Sequence, residues 1–398
     1  MNARDIMTPI HPTQEEELKR FCSTLFADFS RSDQRTWGEL YLRGLLQVPG
    51  RKSVVAISEH CAGASTVQRL QQFLNQSPWD HVPVRQYLAQ LFSKTQQLLA
   101  WSVDEVVFPK HGQVSVGVAS QYSPSLSQVL NCQIALSLNV VSEDSSLPIN
   151  WRLVLPPHWG TDEELRRKAH LPSSVRPSSR SQLTLEQLDE VSEDWGLPTL
   201  PVLADLQHDP NPEALLQALE ARGLGYLCQV SPAYPVHGTG RDPQRREPRA
   251  LQMVLAAAER NARTTVSWSD PKDGMRRQSQ FMVLSLAQRP RALSGGPGLA
   301  RPSNESHRVL LSQWPIGRSR PVRYWISNLE CNSWNEPISL WRARSRAAST
   351  LNAMRAEGGL ADFEGRSYRG WHHHVTLASA AQGFRTLYSA AAEPLLVR

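Results

Sequence analysis

Around Leu99 to Trp101 the hydrophobic periodicity of this chain changes from about 3.6 residues to two, and few architectures accommodate both patterns in succession. Before the change, Leu18, Phe21, Leu25 and Phe29, and later Val67, Leu70, Phe73 and Leu74, recur at helical spacing. Pro49-Gly50 and Ser77-Pro78 punctuate the run as turns or caps. This predicts a helical N-terminal domain over residues 1–99. After the change, Val103, Val106, Val107 and Phe108, then Val114, Val116 and Val118, then Cys132, Ile134, Leu136 and Leu138 read as three successive strands. Turns at 109–112 and around Pro124 would join them into an antiparallel meander.

Helical spacing returns at 162–169 and at 184–195, after a Ser-, Pro- and Arg-rich loop at 172–181. A short buried strand at 200–204 then ends at Asp205, followed by a helix over 212–222 and a strand over 224–230. Residues 100–230 thus predict the first part of an α/β core built on a mixed sheet. Residues 231–330 read as a β-rich insertion. Its loops fall at 231–249 and 288–307, and its strands at 264–268, 280–286, 308–314 and 322–327. A C-terminal helical part, 331–398, completes the core with helices over 338–356 and from Val375 to about Ala391.

Of the 398 residues, 40% are hydrophobic and 20% charged, an ordinary globular balance that excludes a disordered or fibrous chain. A membrane span needs roughly 18 consecutive apolar residues, and stretches such as Leu136 to Val141 are broken by Ser and Asn within a few positions. Asp5, Glu15, Glu16 and Glu17 occupy the region where a secretory signal would carry its basic and apolar segments. A cytoplasmic protein is expected. The cysteines Cys22, Cys61, Cys132, Cys228 and Cys331 are odd in number and never paired as CxxC, so neither disulfides nor a zinc site is expected.

The net charge of +6 hides an asymmetry. Residues 241–398 hold 24 Lys and Arg against 12 Asp and Glu, whereas the preceding residues hold 19 against 25. The basic half is where phosphate contacts are expected. Its preference for Arg suits bidentate phosphate binding, although a solvated surface or the codon bias of a GC-rich genome would read the same.

An acid stands at the end of a strand twice: Asp104 in Val103-Asp104-Glu105-Val106 and Asp205 in Val202-Leu203-Ala204-Asp205. Carboxylates on neighbouring strands can share divalent ions. Two such ions about 4 Å apart can activate an attacking oxygen and stabilise a leaving one in phosphoryl transfer. An isolated strand-end Asp is also an ordinary turn former. No Walker A, GxSxG, HExxH or GxGxxG pattern is present, leaving nucleotide hydrolysis, serine hydrolysis, zinc peptidase and dinucleotide chemistry without local support.

A block of motifs sharpens the reading. Asp104-Glu105-Val106-Val107-Phe108-Pro109-Lys110-His111-Gly112, Ser115-Val116-Gly117-Val118, Gln121-Tyr122-Ser123, Asn131-Cys132-Gln133, Arg166-Arg167-Lys168-Ala169 and Ala204-Asp205 occur in consistent order. Tyr324-Trp325-Ile326-Ser327-Asn328-Leu329, Phe363-Glu364-Gly365-Arg366-Ser367 and Gly370-Trp371-His372-His373-His374-Val375-Thr376-Leu377 continue it. Residues 41–46 with Arg51-Lys52, and 70–74 with Trp79-Asp80, extend it into the helical region. Together they resemble the DDE-superfamily endonuclease group of bacterial insertion-sequence transposases. The resemblance implies a ribonuclease-H-like core in which two Asp and a helical Glu hold Mg2+ (or Mn2+) for strand cleavage and transfer on double-stranded DNA at transposon ends, with a possible homo-oligomer on the DNA. Asp104 and Asp205 fall on the first two carboxylates, as catalytic residues and metal ligands. Lys110 falls on a family lysine that approaches phosphate.

The third carboxylate departs from that pattern. The family's Arg-Trp-x-Ile-Glu is met here by Arg344-Ser345-Arg346-Ala347-Ala348, so Ala348 stands where Glu is expected. Val106 replaces a usual Thr, and Leu206-Gln207-His208 replaces the run that leads to Tyr-Gly. The chain therefore looks like a degenerate copy whose strand cleavage is crippled or lost. Its rival reading is a catalytically inactive DNA-binding relic or a repressor of related elements. Glu357, Glu336 and Asp209 are weighed as replacement acids and read as solvated surface groups. Arg342, Arg344, Arg346 and Arg355 on the predicted helix, with Arg366 and Arg369 beyond, are candidates to face DNA phosphate. The adjacent His372, His373 and His374 point in different directions and cannot all ligate one ion, so packing and polar contacts are expected of them. Trp151, Trp159 and Trp371 read as core rather than base-stacking residues.

Overall fold

The last described helix is buried along most of its length, and the unit it belongs to is organised around it. The computed structural model describes residues 12–123, 126–236, 249–251, 255, 263–269, 275–286, 307–330 and 333–388. Much of the expected loops at 231–249 and 288–307, the turn around Pro124 and the last residues of the final helix lie outside the described residues. The described residues form two units. The first takes in the chain up to Pro198 and from Ala343 onward, and the second Thr199–Arg342.

In the first unit five helices precede any strand: α1 (Pro12–Leu25), α2 (Ser32–Gln47), α3 (Val54–Cys61), α4 (Val67–Asn75) and α5 (Val82–Thr95). Local chemistry sets their ends. The Ser53 hydroxyl accepts from the Ala56 N–H at 3.1 Å to start α3, and Pro83 occupies the first turn of α5, where its missing N–H costs nothing. On α4, Leu70, Phe73 and Leu74 form the buried stripe that 3.6-residue spacing requires.

Four strands follow: β1 (Leu98–Pro109), β2 (Ala119–Ser123), β3 (Gln128–Ser142) and β4 (Ser146–Val154). β1 runs antiparallel along one side of β3, and β2 and β4 share the other side. The strand expected at Val114–Val118 is instead a turn. Gly117 has φ +71°, and a Cβ on it would stand 2.2 Å from the Leu153 side chain. Pairing with β3 resumes only at Ala119. α6 (Glu163–Lys168) and α7 (Arg180–Asp189) follow, the latter running into a π-turn over Glu190–Asp194.

The second unit opens with a parallel βαβ step: β5 (Val202–Asp205), α8 (Pro212–Ala221) and β6 (Tyr226–Gln229). Beside a small β7 (Pro235–Val236) and β8 (Arg249–Ala250) ladder, it continues as β9 (Thr264–Ser269), β10 (Arg276–Leu286), β11 (Arg308–Pro315) and β12 (Arg323–Ser327). These pair antiparallel in the spatial order β6-β12-β11-β10-β9. Arg308 clasps the sheet to α8. Its guanidinium meets Glu213 at 2.9 Å and Glu220 at 2.6 Å, while Tyr234 and Tyr226 donate to the same two carboxylates, each at 2.7 Å. With Arg308 at 18% side-chain exposure and its partners at 21% and 15%, Arg308→Met leaves two acids of one helix face without their shared cation. The expected loss is about 2 kcal/mol, read as a lower urea midpoint; an unchanged midpoint would mean that solvent already screens the cluster.

Two helices complete the described chain: α9 (Asn335–Ala356), whose residues through Arg342 belong to the second unit, and α10 (Tyr368–Tyr388). α10 begins seven residues before the expected Val375 and is buried from Gly370 to Ala381. α2, α4, α5 and β4 pack around it, which is why its sequence shows no amphipathic stripe. The chain is thus mixed α/β. Among the described residues no helix is long and apolar enough to cross a membrane.

Candidate functional site

Asp104 lies in the interior of β1, not at its end, because pairing with β3 continues through Pro109. Alternation puts Ser102 beside it on the same face, and the register places Asn139 and Ser137 opposite the two. All four are buried polar residues in strands made largely of apolar ones. The Ser102 hydroxyl donates to Asp104 Oδ2 at 2.6 Å, with Asn139 Nδ2 at 3.5 Å from the same oxygen. Asn139 also donates to the carbonyls of Ser102 at 3.1 Å and Ser137 at 3.3 Å. Within the quartet Asp104 Oδ2 and the Asn139 amide find partners, as buried polar groups must.

The later turns of α9 meet this sheet. Arg344 Nη2 stands 3.3 Å from Asp104 Oδ1, with the two side chains 19% and 7% exposed. Arg346 Nη1 donates to the Ser142 carbonyl at 2.7 Å, and Ser146 Oγ donates to Thr350 Oγ1 at 2.7 Å. Ala348 is half-buried one turn beyond Arg344, next to the fully buried Ala347. Four residues apart on a helix, positions 344 and 348 share a face.

Asp205 closes β5 in the second unit as the sequence predicts and is exposed there. It accepts from the Gln207 N–H at 3.0 Å and from the Gln207 amide at 3.2 Å. The acids weighed as replacements have local roles or none in a cluster. Asp209 accepts from the Asn211 N–H at 2.8 Å, Glu336 is exposed in the first turn of α9, and Glu357 is exposed just past its end. Among the described residues no group of three His, Cys, Asp or Glu is placed to hold a metal ion.

The candidate phosphate-facing cations are dispersed. Lys110 Nζ donates to the Phe363 carbonyl at 2.7 Å, and burial lowers its pKa while Glu364 pulls the other way. Arg344 and Arg346 are engaged with Asp104 and Ser142, and Arg342 and Arg355 are half-buried at other points of α9. Arg366 is exposed, and Arg369 donates to the Gln76 carbonyl at 3.1 Å. Trp151, Trp159 and Trp371 are buried.

Ser102, Ser137 and Asn139 were not singled out in the sequence. Their signal is a pair of polar residues at period two inside each of two apolar strands. Chemically, the arrangement surrounds a carboxylate with N–H and O–H donors and one guanidinium. A shared divalent ion needs further oxygen ligands instead, and Ala348 supplies none. The donor set does not fit a metal centred on Asp104.

A family model described as DDE superfamily endonuclease matches residues 24–289 of this chain. No curated protein matches it.

Proposed function

The chain belongs to the DDE superfamily endonuclease family, and from that premise we propose a transposase-like protein that engages double-stranded DNA while its strand-cleaving chemistry is impaired. The observation that carries this reading is Ala348, a methyl group on the face of α9 whose preceding turn reaches Asp104. Asp104 and Asp205 are read as the two surviving carboxylates of a ribonuclease-H-like core, with residues 231–330 as an insertion in it and 1–99 as a helical domain before it. Members of this superfamily generally use divalent metals, which activate the attacking oxygen when bound. With Arg344 against Asp104, no step is assigned to such an ion here. Binding is assigned to the Arg-rich half of the chain, through salt-dependent phosphate contacts, with Arg366 in its exposed part and Lys110, Arg342, Arg346 and Arg355 as further candidates.

Supercoiled plasmid carrying the DNA that flanks this gene provides the test, incubated with Mg2+ or Mn2+ and the natural protein, Ala348→Glu or Asp104→Asn. A carboxylate missing from a metal-dependent site costs several kcal/mol of barrier, and each ~1.4 kcal/mol is tenfold in rate. The natural protein is therefore expected to nick at least about 100-fold more slowly than Ala348→Glu. Nicking by the natural protein as fast as by Ala348→Glu, and abolished in Asp104→Asn, would overturn the reading. The Arg344–Asp104 ion pair favours a second role of the same fold, a binding-only repressor of related elements. Binding by both proteins with no nicking by Ala348→Glu selects it.

A further inference from the structure

We infer that Arg344 is the resident cation of Asp104, a guanidinium held where a divalent ion would have to bind, so that the chain takes up neither Mg2+ nor Mn2+ at this carboxylate and binds DNA without them. The inference deepens the impaired-cleavage reading and rests on it.

Both carboxylate oxygens are engaged by donors. Oδ1 has the guanidinium at 3.3 Å, and Oδ2 has the Ser102 hydroxyl at 2.6 Å with Asn139 behind it at 3.5 Å. Mg2+ requires oxygen ligands at about 2.0–2.1 Å in octahedral geometry and retains several waters. With only 7% of the Asp104 side chain exposed, those waters would have to enter where Arg344 and Ser102 now stand, and the ion would face a fixed positive charge.

Arg344 is held in that position by its own helix. The bonds from Arg346 to the Ser142 carbonyl and from Ser146 to Thr350, both 2.7 Å, fix α9 against the β3–β4 hairpin two residues and six residues beyond Arg344. One turn along the same face, at 348, an acid would offer the guanidinium an i,i+4 partner and compete with Asp104. Alanine offers nothing. With alanine at 348, no carboxylate at that position competes with Asp104 for the guanidinium.

The test is Mn2+ uptake by the full-length protein, followed by the loss of the free-ion electron paramagnetic resonance signal, with duplex DNA binding measured in EDTA and in Mg2+. The natural protein is expected to take up no stoichiometric Mn2+ at Asp104, and its DNA affinity to change less than twofold on adding EDTA. Arg344→Gln combined with Ala348→Glu is expected to gain one Mn2+ that the further change Asp104→Asn removes. Stoichiometric Mn2+ uptake by the natural protein, lost in Asp104→Asn, would overturn the inference. If the variants do not fold, Fe2+ with ascorbate locates a bound ion in the natural protein by cutting nearby backbone. Cleavage beside Asp104 overturns the inference, and its absence there upholds it. Metal uptake at Asp104 without rapid plasmid nicking removes this inference and leaves the impaired-cleavage reading standing, whereas nicking as fast as that of Ala348→Glu removes the reading itself.

Discussion

Arg85→Met is expected to destabilise the protein by about 3 kcal/mol, more than any exposed arginine would. Arg85 is 1% exposed on α5. Its Nε donates to Thr376 Oγ1 at 2.8 Å, Nη1 to Asn150 Oδ1 at 3.0 Å and the Trp151 carbonyl at 3.2 Å, and Nη2 to His372 Nδ1 at 3.0 Å. One side chain thereby joins α5, β4 and α10. Burial pushes its pKa down to about 9, with Arg152 adding to the shift and Glu190 opposing it, so the guanidinium stays protonated at neutral pH. Asn150 and Trp151 keep other donors in the variant, because Arg152 also reaches both. Thr376 and His372 lose theirs, and each orphaned buried group costs about 1–3 kcal/mol. Arg85→Lys should recover little, since a single ammonium cannot reach three elements at once. Urea denaturation followed by circular dichroism measures the loss. A midpoint unchanged in Arg85→Met would mean that the cost of burying the charge cancels its bonds.

These contacts explain what could be read from the chain and what could not. The helices of residues 12–95 were legible because each has one buried face, and a one-sided face imposes its period on the sequence, while β5 and β6 of the βαβ step were legible as short continuous apolar runs. α10 was half legible. Buried on every side, it carries no stripe, and His372, His373 and His374 obscure its start. The quartet around Asp104 was invisible for another reason: Ser102, Ser137 and Asn139 lie in strands that read as apolar, and only the β1–β3 register, a long-range property, sets them opposite one another. A helical arginine such as Arg344 looks solvated in sequence and reads as a candidate to face phosphate. Its partner lies 240 positions away and reaches it only through tertiary packing.

Acid should unfold this protein through its buried histidines before its carboxylates begin to titrate. His374 is satisfied as a neutral ring, with Nδ1 accepting from Tyr41 Oη at 2.9 Å and Nε2 donating to the Leu360 carbonyl at 3.1 Å. Burial lowers its pKa to about 4 against the opposing pull of that carbonyl, and Lys110 lowers it further. His373 lies between the carbonyls of Leu74 and Trp79, at 2.8 and 2.9 Å, and is stacked on Trp79. Those carbonyls favour the protonated ring, yet burial prevails and its pKa also falls to about 4. His81 and His372, stacked on each other, shift the same way through burial, with Arg85 and their mutual repulsion contributing. In the unfolded chain each ring titrates near 6.5. Above that value neither state binds the proton, and the full stability is present. Between about 6.5 and 4 only the unfolded chain binds it, so stability falls as pH falls. At pH 5 the loss is roughly 2 kcal/mol for each of His373 and His374, about 4 kcal/mol for the two. Ordinary carboxylates remain largely ionised at that pH, so the expected drop in the urea midpoint between pH 7.5 and pH 5 belongs to the histidines. His374→Gln, a neutral amide that cannot titrate, should flatten the slope by about 2 kcal/mol over the same range. A midpoint independent of pH down to 5 would show that the rings take up protons in the folded protein as readily as in the unfolded chain.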